Sequence, residues 1–108
     1  MLKQPDAQPN EKDFLIAYHI KTLREKNYPG IGGAPRCAAD LKSSIQQYYA
    51  WENARRTPRK ASLAKIEKLY GVTRDHFMQK PDDWKTIYAE MLEKWRTRVG
   101  QVNREVED

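Results

Sequence analysis

Cysteine occurs once in the 108 residues, as Cys37. A single thiol excludes an internal disulfide and a cysteine-rich metal centre, and in an apolar stretch it reads as a small core residue. Histidine is nearly as scarce. His19 and His76 lie far apart in sequence and are expected on helix surfaces or partly in the core, so no metal or other cofactor is expected. The apolar run of roughly 18 residues that a membrane span needs is also missing. The opening MLKQPDAQPN lacks the apolar stretch of a signal peptide, so the cytoplasm is the default compartment and no membrane partner is expected. Nucleophile, base and metal-ligand types do not recur at the spacing of a catalytic constellation, so an enzyme is not expected.

Charge, by contrast, is abundant. With 32% charged and 39% hydrophobic residues, the chain suits one small, soluble domain with a single core and one appended element. The net charge of +5 is uneven: residues 36–60 hold Arg36, Lys42, Arg55, Arg56, Arg59 and Lys60 against only Asp40 and Glu52, which places +4 in that segment. A charge excess confined to one segment is what a polyanion-binding face requires; the plainer account is a solvated basic loop.

The apolar spacing predicts an all-α chain. Residues 1–9, with two prolines and no apolar pattern, are expected as a flexible arm. Asn10 caps a first helix with Ile16, Ile20 and Leu23 at helical spacing, ending near Asn27. The loop YPGIGGAP follows; it is rich in glycine but lacks the Lys-Ser/Thr that completes a P-loop. Pro35 suits the first turn of a second helix containing Cys37, Ala38 and Leu41. Ser44 caps a third, turning Tyr48 and Trp51 inward and leaving Ile45, Gln46 and Tyr49 outside. After Pro58 a fourth helix carries Leu63, Ile66, Leu69 and Tyr70, and Gly71 stops it. Thr73 caps a short fifth helix holding Phe77 and Met78.

From Cys37 to Val72 this order of pieces, CAADLKSSIQQYYAWEN, then RRTP, then SLAKIEKLYGV, needs no gap to follow a known pattern. Over about residues 12–80 the chain resembles the Cro/CI (XRE) type of helix-turn-helix repressor, the lambda-repressor-like fold of five helices. The resemblance implies a recognition helix at about residues 44–52 whose Ile45, Gln46, Tyr49 and Ala50 read bases in the major groove. Glutamine can bond the N6 and N7 edge of adenine in two places, and an apolar side chain can meet a thymine methyl. Ser44, Asn53, Arg55 and Arg56 fall where the family contacts phosphates, which position the helix without reading sequence. Arg24 and Glu52 match an ion pair that ties the first helix to the end of the third.

Three departures stand out. Lys42 occupies the place between helices two and three where the family usually has a glycine with φ > 0. The first connection is longer than usual. Ala34 replaces the polar residue that opens helix two and grips a phosphate, and Arg36 is the nearest substitute for that grip.

Residues 81–108 lie outside the resemblance. Tyr88, Leu92, Trp95, Val99, Val102 and Val106 follow the alternating four-and-three spacing of a coiled-coil seam, while Trp84, Ile87 and Met91 widen the apolar face at its start. The expectation is an additional C-terminal amphipathic helix whose wide end packs on the body and whose narrow end meets a second copy; the competing arrangement is a sixth helix packed within the chain. The expected function is sequence-specific binding of double-stranded DNA by a homodimeric transcription regulator, a repressor. The alternative is a protein-interaction module, such as the antitoxin of a toxin–antitoxin pair whose C-terminal helix covers the protein partner.

Overall fold

A computed structural model describes residues 8–107, with side chains through residue 98. Residues 1–7 of the expected arm, and the side chains of Val99, Val102 and Val106 on the expected seam, lie outside the described residues. Five α-helices and one 3-10 helix form the described part: α1 (Glu11–Asn27), α2 (Gly33–Asp40), α3 (Ile45–Glu52), α4 (Lys60–Tyr70), a 3-10 helix (Arg74–Met78) and α5 (Trp84–Glu107). No helix among the described residues is long and apolar enough to cross a membrane.

Helix α1 begins with a reciprocal cap. The Asn10 Oδ1 accepts the Asp13 N–H at 2.8 Å, and the Asn10 N–H donates to Asp13 Oδ2 at 3.2 Å, so two amides that the first turn leaves open are satisfied. Past the cap, residues 14–20 are covered on nearly every side, while Lys21, Thr22, Glu25, Lys26 and Asn27 return to solvent. Ile16, Ile20 and Leu23 face one cluster, with Cys37, Tyr48, Trp51, Leu63, Ile66 and Phe77 from α2, α3, α4 and the 3-10 helix and with Leu41 from the C-cap of α2. Phe14, Leu15 and Ala17 face a second, with Ala54, Trp84 and Trp95. A helix with core on two sides shows no clean apolar stripe, which is why the spacing pointed only to Ile16, Ile20 and Leu23.

Helix α2 starts two residues before the expected Pro35, because Gly32 takes a left-handed φ of 86° and Gly33 then enters the helix against the Tyr28 carbonyl. The fifth helix is 3-10 rather than α. It docks on α1, where His19 Nε2–H donates to the Gln79 carbonyl at 2.6 Å, and the buried His19 ring lies 4.9 Å from that of His76. Burial lowers the pKa of His19 below its ordinary value.

Two helices end in the same motif, each on a residue that is not glycine. At the end of α2 the Ser43 N–H reaches back to the Ala38 carbonyl at 2.9 Å and the Lys42 N–H to Ala39 at 3.0 Å, with Lys42 at φ +56°. At the end of α3 the Arg55 N–H bonds the Ala50 carbonyl at 2.9 Å and the Ala54 N–H bonds Trp51 at 3.4 Å, with Ala54 at φ +59°. This pairing of the last carbonyls requires a left-handed residue just beyond the helix, a place usually held by glycine. In α4, Gly71 does hold it, at φ +66°.

Helix α5 lies along α1. Trp84 stacks on Tyr88 at 5.7 Å, Tyr88 meets Phe14 edge to face at 5.6 Å, and the indole N–H of Trp84 donates to Glu11 at 2.8 Å. The wide end therefore packs on the body, with Ile87 and Met91 against the same cluster. The seam is another matter: Tyr88, Leu92 and Trp95, expected to face a second copy, belong to that cluster too, and Trp95 is only 8% exposed. Through residue 95 the arrangement is the intramolecular one. Trp84 and Trp95 are covered by Phe14, Leu15, Ala17 and Ala54 of the same chain, and rings of that size carry a large share of a small core's apolar burial.

Two outcomes follow from this packing. A left-handed residue other than glycine costs about 1–2 kcal/mol, and glycine gives back about 0.5–1 kcal/mol in chain entropy, so Lys42→Gly should raise stability in urea melts by about 0.5–1 kcal/mol. Trp95→Ala should lose about 3–5 kcal/mol of stability at every protein concentration; a loss that depends on concentration would place Trp95 between chains instead.

Candidate nucleic-acid interface

A helix turns 100° per residue, so α3 can face both core and solvent along its whole length. Ser44 starts it, with its Oγ accepting the Gln47 N–H at 3.1 Å. Tyr48 at 0% exposure and Trp51 at 5% point inward. Ile45 at 38% and Tyr49 at 42% point outward, with Gln46 and Gln47 exposed beside them and Ala50 half-buried. The four positions expected to read bases thus share one face. Gln47, which the sequence reading left off the base-reading set, joins them; its signal was the Gln-Gln pair itself.

The inward side of α3 is fixed by an ion pair. Arg24 Nε donates to Glu52 Oε2 and Arg24 Nη2 to Glu52 Oε1, both at 2.9 Å, and the two side chains are 15% and 4% exposed. Two parallel bonds between planar groups set orientation as well as distance. The Glu52 carboxylate holds the Arg24 guanidinium above its ordinary pKa. Next to this pair the Tyr48 hydroxyl is buried with no hydrogen-bond partner among the described residues, and that burial, with Glu52 nearby, raises its pKa, so it stays a neutral phenol.

The expected phosphate ligands scatter more widely. Ser44 and Asn53, at the two ends of α3, are exposed, as are Arg55 and Arg56 in the turn after it. Arg55 and Arg56 line an open groove with Gln46, Gln47 and Ala50. Arg36 lies elsewhere: its Nη2 donates to the Pro29 carbonyl at 3.2 Å, on the connection between α1 and α2. Ala34 is buried and offers no polar grip.

Such a surface has a definite chemistry. It offers amide groups able to donate and accept, two exposed apolar side chains, and cations beside them, on a helix whose far side is anchored. No protein-family model matches the chain, and no curated protein and no solved structure is detectably similar to it. What this face binds has to follow from its own shape and charge.

Removing one member of a buried pair leaves the other charge without compensation. Glu52→Ala should therefore destabilise the fold by about 3–5 kcal/mol in chemical denaturation. A loss under about 1 kcal/mol would put the pair in the class of exposed ion pairs and leave α3 held by its aromatics alone.

Proposed function

We propose that the chain is a lambda-repressor-like helix-turn-helix protein of the Cro/CI type, which binds double-stranded DNA sequence-specifically by laying α3 in the major groove. The observation that carries this reading is the division of α3 itself. Tyr48, Trp51 and the Arg24–Glu52 pair fasten one side, and Ile45, Gln46, Gln47 and Tyr49 stand exposed on the other beside Arg55 and Arg56. The turn into α3 supports it as well: it needs φ > 0 at residue 42, as the repressor pattern does, and Lys42 adopts it. Acting at promoter DNA, such a protein regulates transcription by occluding or recruiting, and repression is the simpler outcome of occupancy.

The antitoxin alternative needs an apolar face on α5 to offer a protein partner. Trp84, Tyr88, Leu92 and Trp95 are already against α1, which weakens that reading through residue 95. The same packing constrains the homodimer. A two-fold contact along α5, holding two recognition helices about one DNA turn apart, would have to use the helix beyond that point.

Selection of bound duplexes from a random library tests the proposal. A preferred site should emerge, and Gln46→Ala should lose about 1–3 kcal/mol on it with nonspecific affinity nearly unchanged, since a base contact is removed and no charge is. Equal weakening on all sequences, or no enriched site, would overturn base reading by α3.

A further inference from the structure

Three open grooves adjoin along one face of the molecule. The first holds Gln46, Gln47, Arg55 and Arg56. Gln47 also lines the second, with Lys42, Ser43, Ser62 and Lys65. Lys42 and Lys65 continue into the third, where Lys68 joins them beside the half-exposed Leu69. The shared residues make a single track, with arginines at one end, glutamines in the middle and lysines at the other.

We propose that Lys42, Lys65 and Lys68 grip the backbone of a DNA duplex across Gln47 from Arg55 and Arg56, so that α3 is held from both sides of the groove it reads. This rests on the proposed DNA binding and adds a second set of phosphate ligands to it. All three lysines are exposed. Lys65 and Lys68 are three residues apart on α4 and project from one side of that helix. The one carboxylate among the residues lining the third groove is Asp40, and it accepts the Tyr28 hydroxyl at 2.5 Å. That bond pushes the Tyr28 pKa up to about 12, so the phenol keeps its proton and the carboxylate keeps its partner.

Lys42 supplies a second, independent observation. Its backbone is left-handed at φ +56°, where glycine would be unstrained. The lysine side chain therefore stands at a position whose backbone would be less strained with glycine. A duplex is the occupant that fits, because cations flank hydrogen-bonding amides on both sides, the order in which a major groove presents phosphate, base edges and phosphate.

The test compares the full-length chain with the triple variant Lys42→Gly, Lys65→Ala, Lys68→Ala on the library-selected duplex, titrated across salt. Each phosphate contact adds about 0.9 to the slope of log affinity against log salt, so losing three should cut the salt sensitivity between 50 and 200 mM by about 40-fold. The preferred sequence should not change. Lys42→Gly alone should melt at higher temperature yet bind more weakly, a combination that misfolding cannot produce. An unchanged slope and affinity, with Gln46 still discriminating bases, would overturn the lysine grip and leave base reading intact. A changed site preference in the triple variant would also overturn it, by making the lysines readers of sequence. Failure of the native chain to bind any duplex would overturn both proposals.

Discussion

Everything in this molecule hangs on α1, a helix that meets core on two sides. Its Ile16, Ile20 and Leu23 support α2, α3 and α4, and its Phe14, Leu15 and Ala17 support α5. At its far end Arg24 reaches Glu52. One rigid rod therefore sets the position of the exposed helix and of the C-terminal helix together. A small domain has little apolar area to divide, and placing one helix between two clusters lets a short chain bury two tryptophans without building a second body.

The anchoring of α3 by unlike means has its own logic. Aromatic packing buries the two large rings of Tyr48 and Trp51 but tolerates small rotations. The two bonds between Arg24 and Glu52 do not, because a planar fork meets a planar carboxylate in one orientation. Angular accuracy is what an outward row of side chains needs if it is to meet a partner with fixed spacing between its groups, whereas stability alone would be served as well by a hydrophobic pair of the same volume.

Much of this was legible in the chain. The caps at Asn10 and Ser44 and the stop at Gly71 mark local events, each decided within four residues, and the structure uses all three in the expected places. The inward direction of Tyr48 and Trp51 followed from their spacing. Destinations were less legible. Tyr88, Leu92 and Trp95 fit a seam between copies and a ridge against α1 equally well, because periodicity gives the face of a helix and not what covers it. Phe14 and Leu15 escaped notice for the opposite reason: they sit in the unbroken run FLIAY, where adjacent apolar residues outline no stripe. Lys65 and Lys68 lie outside the basic segment in sequence and join Lys42 only through the packing of α4. Arg36 carried the right charge, but its bond to the Pro29 carbonyl is set by the longer loop beside it.

The glycines show how unevenly the chain constrains its own future. A β-carbon built on Gly33 would stand 1.9 Å from the Tyr28 carbonyl oxygen, a backbone atom that cannot swing aside, so α2 could not enter at its present angle with any other residue there. Nothing lies within 4 Å of the same atom on Gly30 or Gly32, whose substitution meets conformational strain alone. Lys42 and Ala54 already bear strain of that kind. A side chain is thus met by backbone strain alone at the ends of the short helices, and by a direct clash at one point in the loop before them.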